Sequence, residues 1–349
     1  MTEPRYLNCA FYDYGLGSVV PIEQATARKT QDFGSGFSDS SEVDRGNGEI
    51  SNPGASNKIC GNSSIDLKTG NFHHSQQVGS ITLSYNSFDS TSGSLGVGWT
   101  HDYDIQIIEN SDGSLFFRAG DGNRIWYTAD GSFYRADAKS RDSSTITKGG
   151  DAPYTRTTKY GKKYNFSSSG QLTSIVDRNG NATTFTYTGG DLTGLTDHAS
   201  GRTISITTEE GKIRYITEPV TDSSSRTYTI SYWPSGRISS ISDPYGNVWH
   251  YRYGPNNDQK MSQKIDPSGN VTTYNYHGGG KLKDSTDPNG IMKTIAYEPA
   301  TSTTTVTEKD GSIWTHKYHA GLNVPLEITD PLGNKTTYAY DFSKTTFFP

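Results

Sequence analysis

The sequence predicts an all-β protein in which antiparallel hairpins of about 22 residues repeat to form a curled β-ribbon: a partial shell, spiral or barrel. Three observations carry this. The 349 residues include 23 Tyr and 38 Gly, while Leu, Ile, Val and Phe together make up only about a sixth of the chain. Asp recurs at regular intervals with Gly three residues behind it. A pair of apolar or aromatic residues, two apart, follows each such turn. So low an aliphatic content would suit a disordered chain, but the net charge is only −5 and the tyrosines supply a core. More than about 40% strand and under about 10% helix are expected, far from the usual proportions. No window approaches the roughly 18 apolar residues of a membrane span. The charge balance offers no basic patch for nucleic acid.

Residues 1–60 read as an irregular N-terminal arm or cap. One short helix fits residues 19–31, and residues 34–57 are loop-like. Cys9 and Cys60 are the only cysteines. They lie outside any CxxC pattern, so they are either two buried thiols or one disulfide. We favour the disulfide, because the segment between them is poor in core residues. In the chain-entropy model a bridge closing so long a loop contributes roughly 4 kcal/mol. The arm is expected to pack on a sheet edge or end, in its own chain or a neighbour. The first residues do not form a signal peptide, so a leader is expected to be absent from this chain or removed.

Residues 61–170 are an opening region rich in hairpins. Ile81-Thr-Leu-Ser-Tyr85 alternates as a half-buried strand does. Asp112-Gly113, Asp121-Gly122 and Asp130-Gly131 separate short apolar runs, and Asp-Gly supplies the positive φ that tight hairpin turns require.

Residues 171–349 form the repeat array. Asp177 is followed by Gly180. Four further units read Asp-Pro-x-Gly: Asp243-Pro244-x-Gly246, Asp266-Pro267-x-Gly269, Asp287-Pro288-x-Gly290 and Asp330-Pro331-x-Gly333. In a type I turn Asp bonds to nearby backbone, Pro presets φ, and Gly suits the exit. The residues eight and ten after each Asp include Phe185 and Tyr187, Tyr232, Tyr251 and Tyr253, Tyr274 and Tyr276, Tyr297, and Tyr338 and Tyr340. Two-residue spacing puts each pair on one strand face, the candidate core.

Candidate chemistry is weaker than its structural alternative throughout. The repeated aspartates belong to turns, and no EF-hand loop is present. His316 and His319 would point to opposite faces of a strand, and His73-His74 and His101-Asp102 lack a third partner. Neither a nucleophile elbow nor a phosphate-binding loop occurs. No catalytic residue, metal or cofactor is expected. The row Trp249, Tyr251, Tyr253 could stack on sugar rings or form core, and core is favoured.

Asp-Pro-x-Gly-Asn-x-x-x-Tyr-x-Tyr, followed by x-x-Gly-x-Leu-x-x-Ile, resembles the tyrosine-aspartate (YD) repeat of Rhs and teneurin-type proteins. Gly61-Asn-Ser-Ser-Ile-Asp-Leu-Lys-Thr-Gly70, Leu83-Ser-Tyr-Asn-Ser87 and Leu95-Gly-Val-Gly-Trp99-Thr-His-Asp-Tyr103 are similar to the segment that opens the repeats in bacterial Rhs proteins. The resemblance covers about residues 61–340. It implies a β-ribbon that spirals into a hollow shell. About eight hairpins look too few to close a chamber, and the self-cleaving core and effector of toxin-bearing members are not expected in this chain.

The resulting reading is a bacterial structural scaffold or shell, extracellular or on the cell surface, and not an enzyme. Alternatives are a self-assembling filament subunit joined head-to-tail through unpaired edge strands at both ends, a truncated fragment of an Rhs toxin-delivery shell meeting further shell segments, and a carbohydrate-binding protein.

Overall fold

The computed structural model describes residues 56–60, 63–137, 142–221, 223–254, 259–290, 292–321 and 324–339. The helix expected at residues 19–31, the Cys9–Cys60 bridge and Tyr340 lie outside the described residues or side chains.

Two sheets share one apolar core. The smaller has five antiparallel strands: Ser56–Cys60, Ser63–Asp66, Phe72–Val78, Ile81–Asn86 and Trp99–His101, neighbouring one another in that order. Alternation dictates its inner face, since Ile81, Leu83 and Tyr85 are buried while Thr82 and Ser84 are half-buried. A minor hairpin, Ser92–Gly93 with Gly96–Val97, projects from it.

The larger sheet is a ribbon running from Gln106–Glu109 to Lys335–Thr337. Each strand pairs antiparallel with its neighbours in sequence, without a crossover. The expected boundary at residue 170 therefore falls inside one continuous sheet. Among the described residues the one helical element is a 3-10 turn, Pro299–Thr301, closed by Ser302 at φ 52°.

Among the described residues no ladder joins the last strand to the first, so the ribbon is not closed. It does curl onto itself at its start. Gln106 bridges Gln171, and the Ile107 N–H donates to Gly170 O at 3.0 Å. Gly170 has φ +78°, and a Cβ there would sit 1.8 Å from Ile107 O, so the seam needs glycine. This corrects the expectation of free edges at both ends: the opening strand is partly covered, because the curl brings the 167–171 turn onto it. The last strand, Lys335–Thr337, is exposed along its length. Tyr338, expected in the core, is 39% exposed, because no later strand among the described residues lies beside it to bury its ring.

Between about residues 213 and 319 the ribbon packs against the smaller sheet, here called the plug.

Candidate functional site

Four of the five Asp-x-x-Gly turns are built from one clasp; Asp287 has Ile291 in place of its asparagine. Asp243 Oδ1 accepts from the N–H groups of Tyr245 and Asn247 at 2.8 and 2.9 Å, while Asn247 Nδ2 donates to Asp243 Oδ2 at 2.7 Å. The same three bonds recur at Asp177 with Asn181, Asp266 with Asn270 and Asp330 with Asn334. The Asn181 amide holds the Asp177 carboxyl below its usual range, and Asn334 does the same for Asp330. Gly180, Gly246, Gly269, Gly290 and Gly333 all have positive φ, and each donates its N–H back to its Asp carbonyl. Pro244, Pro267, Pro288 and Pro331 occupy the second turn position. The role of Asn four residues after Asp was missed, although the Asn recurs visibly in the sequence.

The second tyrosine of each unit does more than fill space. The ladder shifts register immediately before Tyr187, Tyr232, Tyr253, Tyr276 and Tyr318. Such bulges bend a strand and re-aim its side chains. Tyr232, Tyr276 and Tyr297 donate their hydroxyls to the carbonyls of Ile213, Met261 and Leu282 at 2.6, 2.7 and 2.8 Å. Each bond ties a unit to the one before it, which phenylalanine could not do. Tyr251, Tyr274 and Tyr276 are buried, as is Phe185. Tyr187, Tyr232, Tyr253 and Tyr297 are partly buried against the same core.

Plug and ribbon meet strand for strand. The plug's Ser94 O accepts from Ile213 N at 2.8 Å. Ser80 N donates to the buried Glu218 carboxylate. Trp99 Nε1 donates to Tyr253 Oη at 2.9 Å and packs edge-on against Tyr251 at 5.1 Å. Tyr85 Oη accepts from Met261 N at 2.9 Å, and Lys260 Nζ donates to Ser87 O at 2.5 Å. Phe72 lies 4.3 Å from the Tyr274 ring, Leu282 N donates to Gly70 O at 3.0 Å, and Thr304 Oγ1 donates to Leu67 O at 2.5 Å. From Trp99 back to Leu67 the plug thus meets the ribbon from Tyr253 forward to Thr304. Tyr251 in the supposed sugar-stacking row is fully buried, with Trp99 against it, so its ring is no platform for a ligand.

The interface is rich in neutral polar groups. Burial holds His74 well below the usual imidazole range, with nearby Lys264 adding to the effect. Burial, aided by Lys293, brings His316 down to about 4. His101 is lowered by burial and by Arg118, against the pull of Asp104. Among the described residues no three His, Cys, Asp or Glu side chains converge as a metal site, and no helix is long and apolar enough to cross a membrane.

A family model described as Teneurin YD-shell matches residues 154–324. Residues 154–324 are a YD-repeat array of that family. A second model, a domain of unknown function (DUF6531), matches residues 62–127, which span most of the plug and the ribbon's first strands. Solved structures also align. TcdB2-TccC3 without its hypervariable C-terminal region is 12% identical at a TM-score of 0.36, over 78% of this chain and 17% of that one. TcdB2-TccC3 is 11% identical at 0.35, over 78% and 18%. The Photorhabdus luminescens Tc holotoxin pore with a substituted TccC3 is 13% identical at 0.33, over 82% and 17%. The chain spans less than a fifth of each. No curated protein matches it. The role that accompanies the YD architecture is structural, that of a shell or scaffold.

Proposed function

We propose that this chain is a segment of a bacterial YD scaffold working outside the cell or on its surface, without enzymatic activity of its own. Within it the plug organises the ribbon's inner face and seals that end of the array. The observation that carries this reading is the contact between residues 67–99 and 213–319, which commits both sheets to packing. The clasped aspartates support it too, since their carboxylate oxygens are occupied by the turn's own donors. The division into an arm, an opening region and a YD array is kept here as a division of labour: the arm covers an edge, the opening region plugs and starts the ribbon, and the array extends it. Further shell segments would continue from the open strand Lys335–Thr337.

That same exposed strand favours a second reading, a self-associating filament subunit. Its weakness is the other end, where the seam at Gly170 partly covers the opening strand. Negative-stain electron microscopy of the purified chain separates the two. The scaffold reading expects discrete compact particles at all concentrations. Filaments that lengthen with concentration would overturn it in favour of self-assembly.

A further inference from the structure

Where plug and ribbon meet, two histidines are buried, and each has a lysine acting on it. His74 lies on the plug strand Phe72–Val78 and is 1% exposed. Its ring meets Trp99 edge-on at 6.1 Å and the ribbon's Tyr251 at 5.7 Å. Its ladder neighbours in the plug are Ser63 and Tyr85. The charge that acts on it from the ribbon is the Lys264 ammonium. His316, on the ribbon strand Ile313–Tyr318, is 5% exposed and stacks on Tyr318 at 6.5 Å. Its Nε2 is buried with no hydrogen-bond partner among the described residues. Its ladder neighbours are Ile328 and Thr304, and Thr304 Oγ1 donates to the plug's Leu67 O. Lys293 acts on His316, and Glu308 is held by Lys293 at 2.9 Å. The plug turn beside Thr304 brings Asp66 and Lys68. Asp66 Oδ1 accepts from the Lys68 and Thr69 N–H groups, and Lys68 Nζ donates to His319 O.

A proton on either ring puts a buried cation near a lysine, while Asp66 and Glu308 are already engaged. An imidazole in water takes the same proton near pH 6.5, whereas seated His316 stays neutral until about 4. A state with the plug lifted therefore binds more protons throughout that window, and falling pH favours it. The gain is tenfold per pH unit, up to about 300-fold for His316 alone. The ribbon has ties of its own that do not involve the plug. Its Asp–Asn clasps lie within single turns, and Tyr232, Tyr276 and Tyr297 bond carbonyls of the preceding unit. The Asp177 and Asp330 carboxyls are held below their usual range, so those clasps stay charged across the same window.

We propose that the plug is seated as an acid-released device: protonation of His74 and His316 lifts the smaller sheet off the ribbon as one body, while the ribbon keeps its ladder. The chain passes from plug to ribbon through residues 102–105, which lie outside the strands and serve as the hinge. His101 stands at that joint, its Nδ1 accepting from Tyr103 N at 3.2 Å, with Arg118 and Asp104 beside it paired to each other. The device rests on the packing of the two sheets and not on the scaffold role, which the micrographs test separately.

Amide hydrogen exchange of the full chain at about pH 7, 5.5 and 4.5, corrected for the intrinsic pH dependence of exchange, tests this. The Ile213, Met261 and Leu282 N–H groups donate to the plug's Ser94 O, Tyr85 Oη and Gly70 O, so they report the seat. The Asn247 and Asn270 N–H groups report the clasps. Between the highest and lowest pH the seat amides should lose protection at least about tenfold, while the clasp amides keep theirs. The double variant His74→Gln/His316→Gln should hold seat protection constant within about twofold. Lys264→Gln removes the cation beside His74, so its seat should open at lower pH than the parent's, and it decides the matter where the double variant does not fold. Seat amides as protected at the lowest pH as at neutrality would overturn the proposal. So would seat and clasp amides opening together, a double variant that opens as the parent does, or a Lys264→Gln protein that opens at the parent's pH or above.

Discussion

The ribbon and the plug reach the same burial by opposite means. The ribbon is built from local rules applied repeatedly: Asp clasps Asn across a turn, Gly takes positive φ, a bulge aims a tyrosine at the preceding strand. Each bond spans about one unit or less. The plug has no such internal code. Its contacts join residues more than a hundred positions apart, as in Trp99 with Tyr253 and Phe72 with Tyr274. The difference teaches where each part should fail. A turn substitution injures one unit, whereas an interface substitution opens the core that all the later units share.

Tyr276 lies on both sides of this comparison, and its substitution is expected to have the largest effect. Tyr276→Ala should destabilise by about 3–5 kcal/mol in chemical denaturation. Tyr276→Phe keeps the ring and strands the Met261 carbonyl, and should cost about 1–3 kcal/mol. Equal melting of parent and alanine variant would mean the face is not core.

Acid should act on the interface before the turns. Unfolded His316 takes up a proton near pH 6.5, while in the fold it stays neutral until about 4. The unfolded chain therefore binds more protons in that window, and stability falls as pH drops through it, by on the order of 3 kcal/mol for this one residue. The Asp177 and Asp330 carboxyls are depressed instead, so their contribution is lost only below the ordinary carboxylate value, near pH 4. His316→Gln should flatten the fall between pH 6.5 and 4 without removing the later loss. An unchanged slope in denaturant titrations at several pH values would contradict this assignment.

Glycine sharpens the contrast further. Gly96 and Gly269 both have positive φ, but a Cβ at Gly96 would sit 2.0 Å from the Gly236 carbonyl oxygen, while nothing lies within 4 Å of one at Gly269. Gly269→Ala should cost about 1–2 kcal/mol, the left-handed backbone penalty alone, and Gly96→Ala distinctly more. At the small end, Asn247→Ala should cost about 0.5–1.5 kcal/mol through the lost clasp. Tyr245→Ala, at an 81% exposed turn position, should stay within about 0.5 kcal/mol. Differential scanning calorimetry would rank all four.

The ribbon was legible because its causes are local. Asp, Pro, Gly and the paired aromatics each announce a turn or a face within a dozen residues. The plug's strands could be read from Ile81 to Tyr85 and from Trp99, but not its position, since neither alternation nor turn chemistry says which sheet an apolar face will meet. Arg156 shows the same limit. It is 1% exposed, bonds Asp142 at 2.7 Å and lies 4.3 Å from the Phe117 ring centre, yet in sequence it is one charge among many.

The central claim is that the plug is the ribbon's core. A double-mutant cycle between Trp99→Phe and Tyr253→Phe tests it most directly, since both changes remove the same 2.9 Å hydrogen bond across the interface. The account predicts a coupling energy of about 0.5–3 kcal/mol by denaturant unfolding of the four proteins. Effects that add within about 0.3 kcal/mol would mean that these side chains do not meet, and that the inner face of the ribbon is filled by something else.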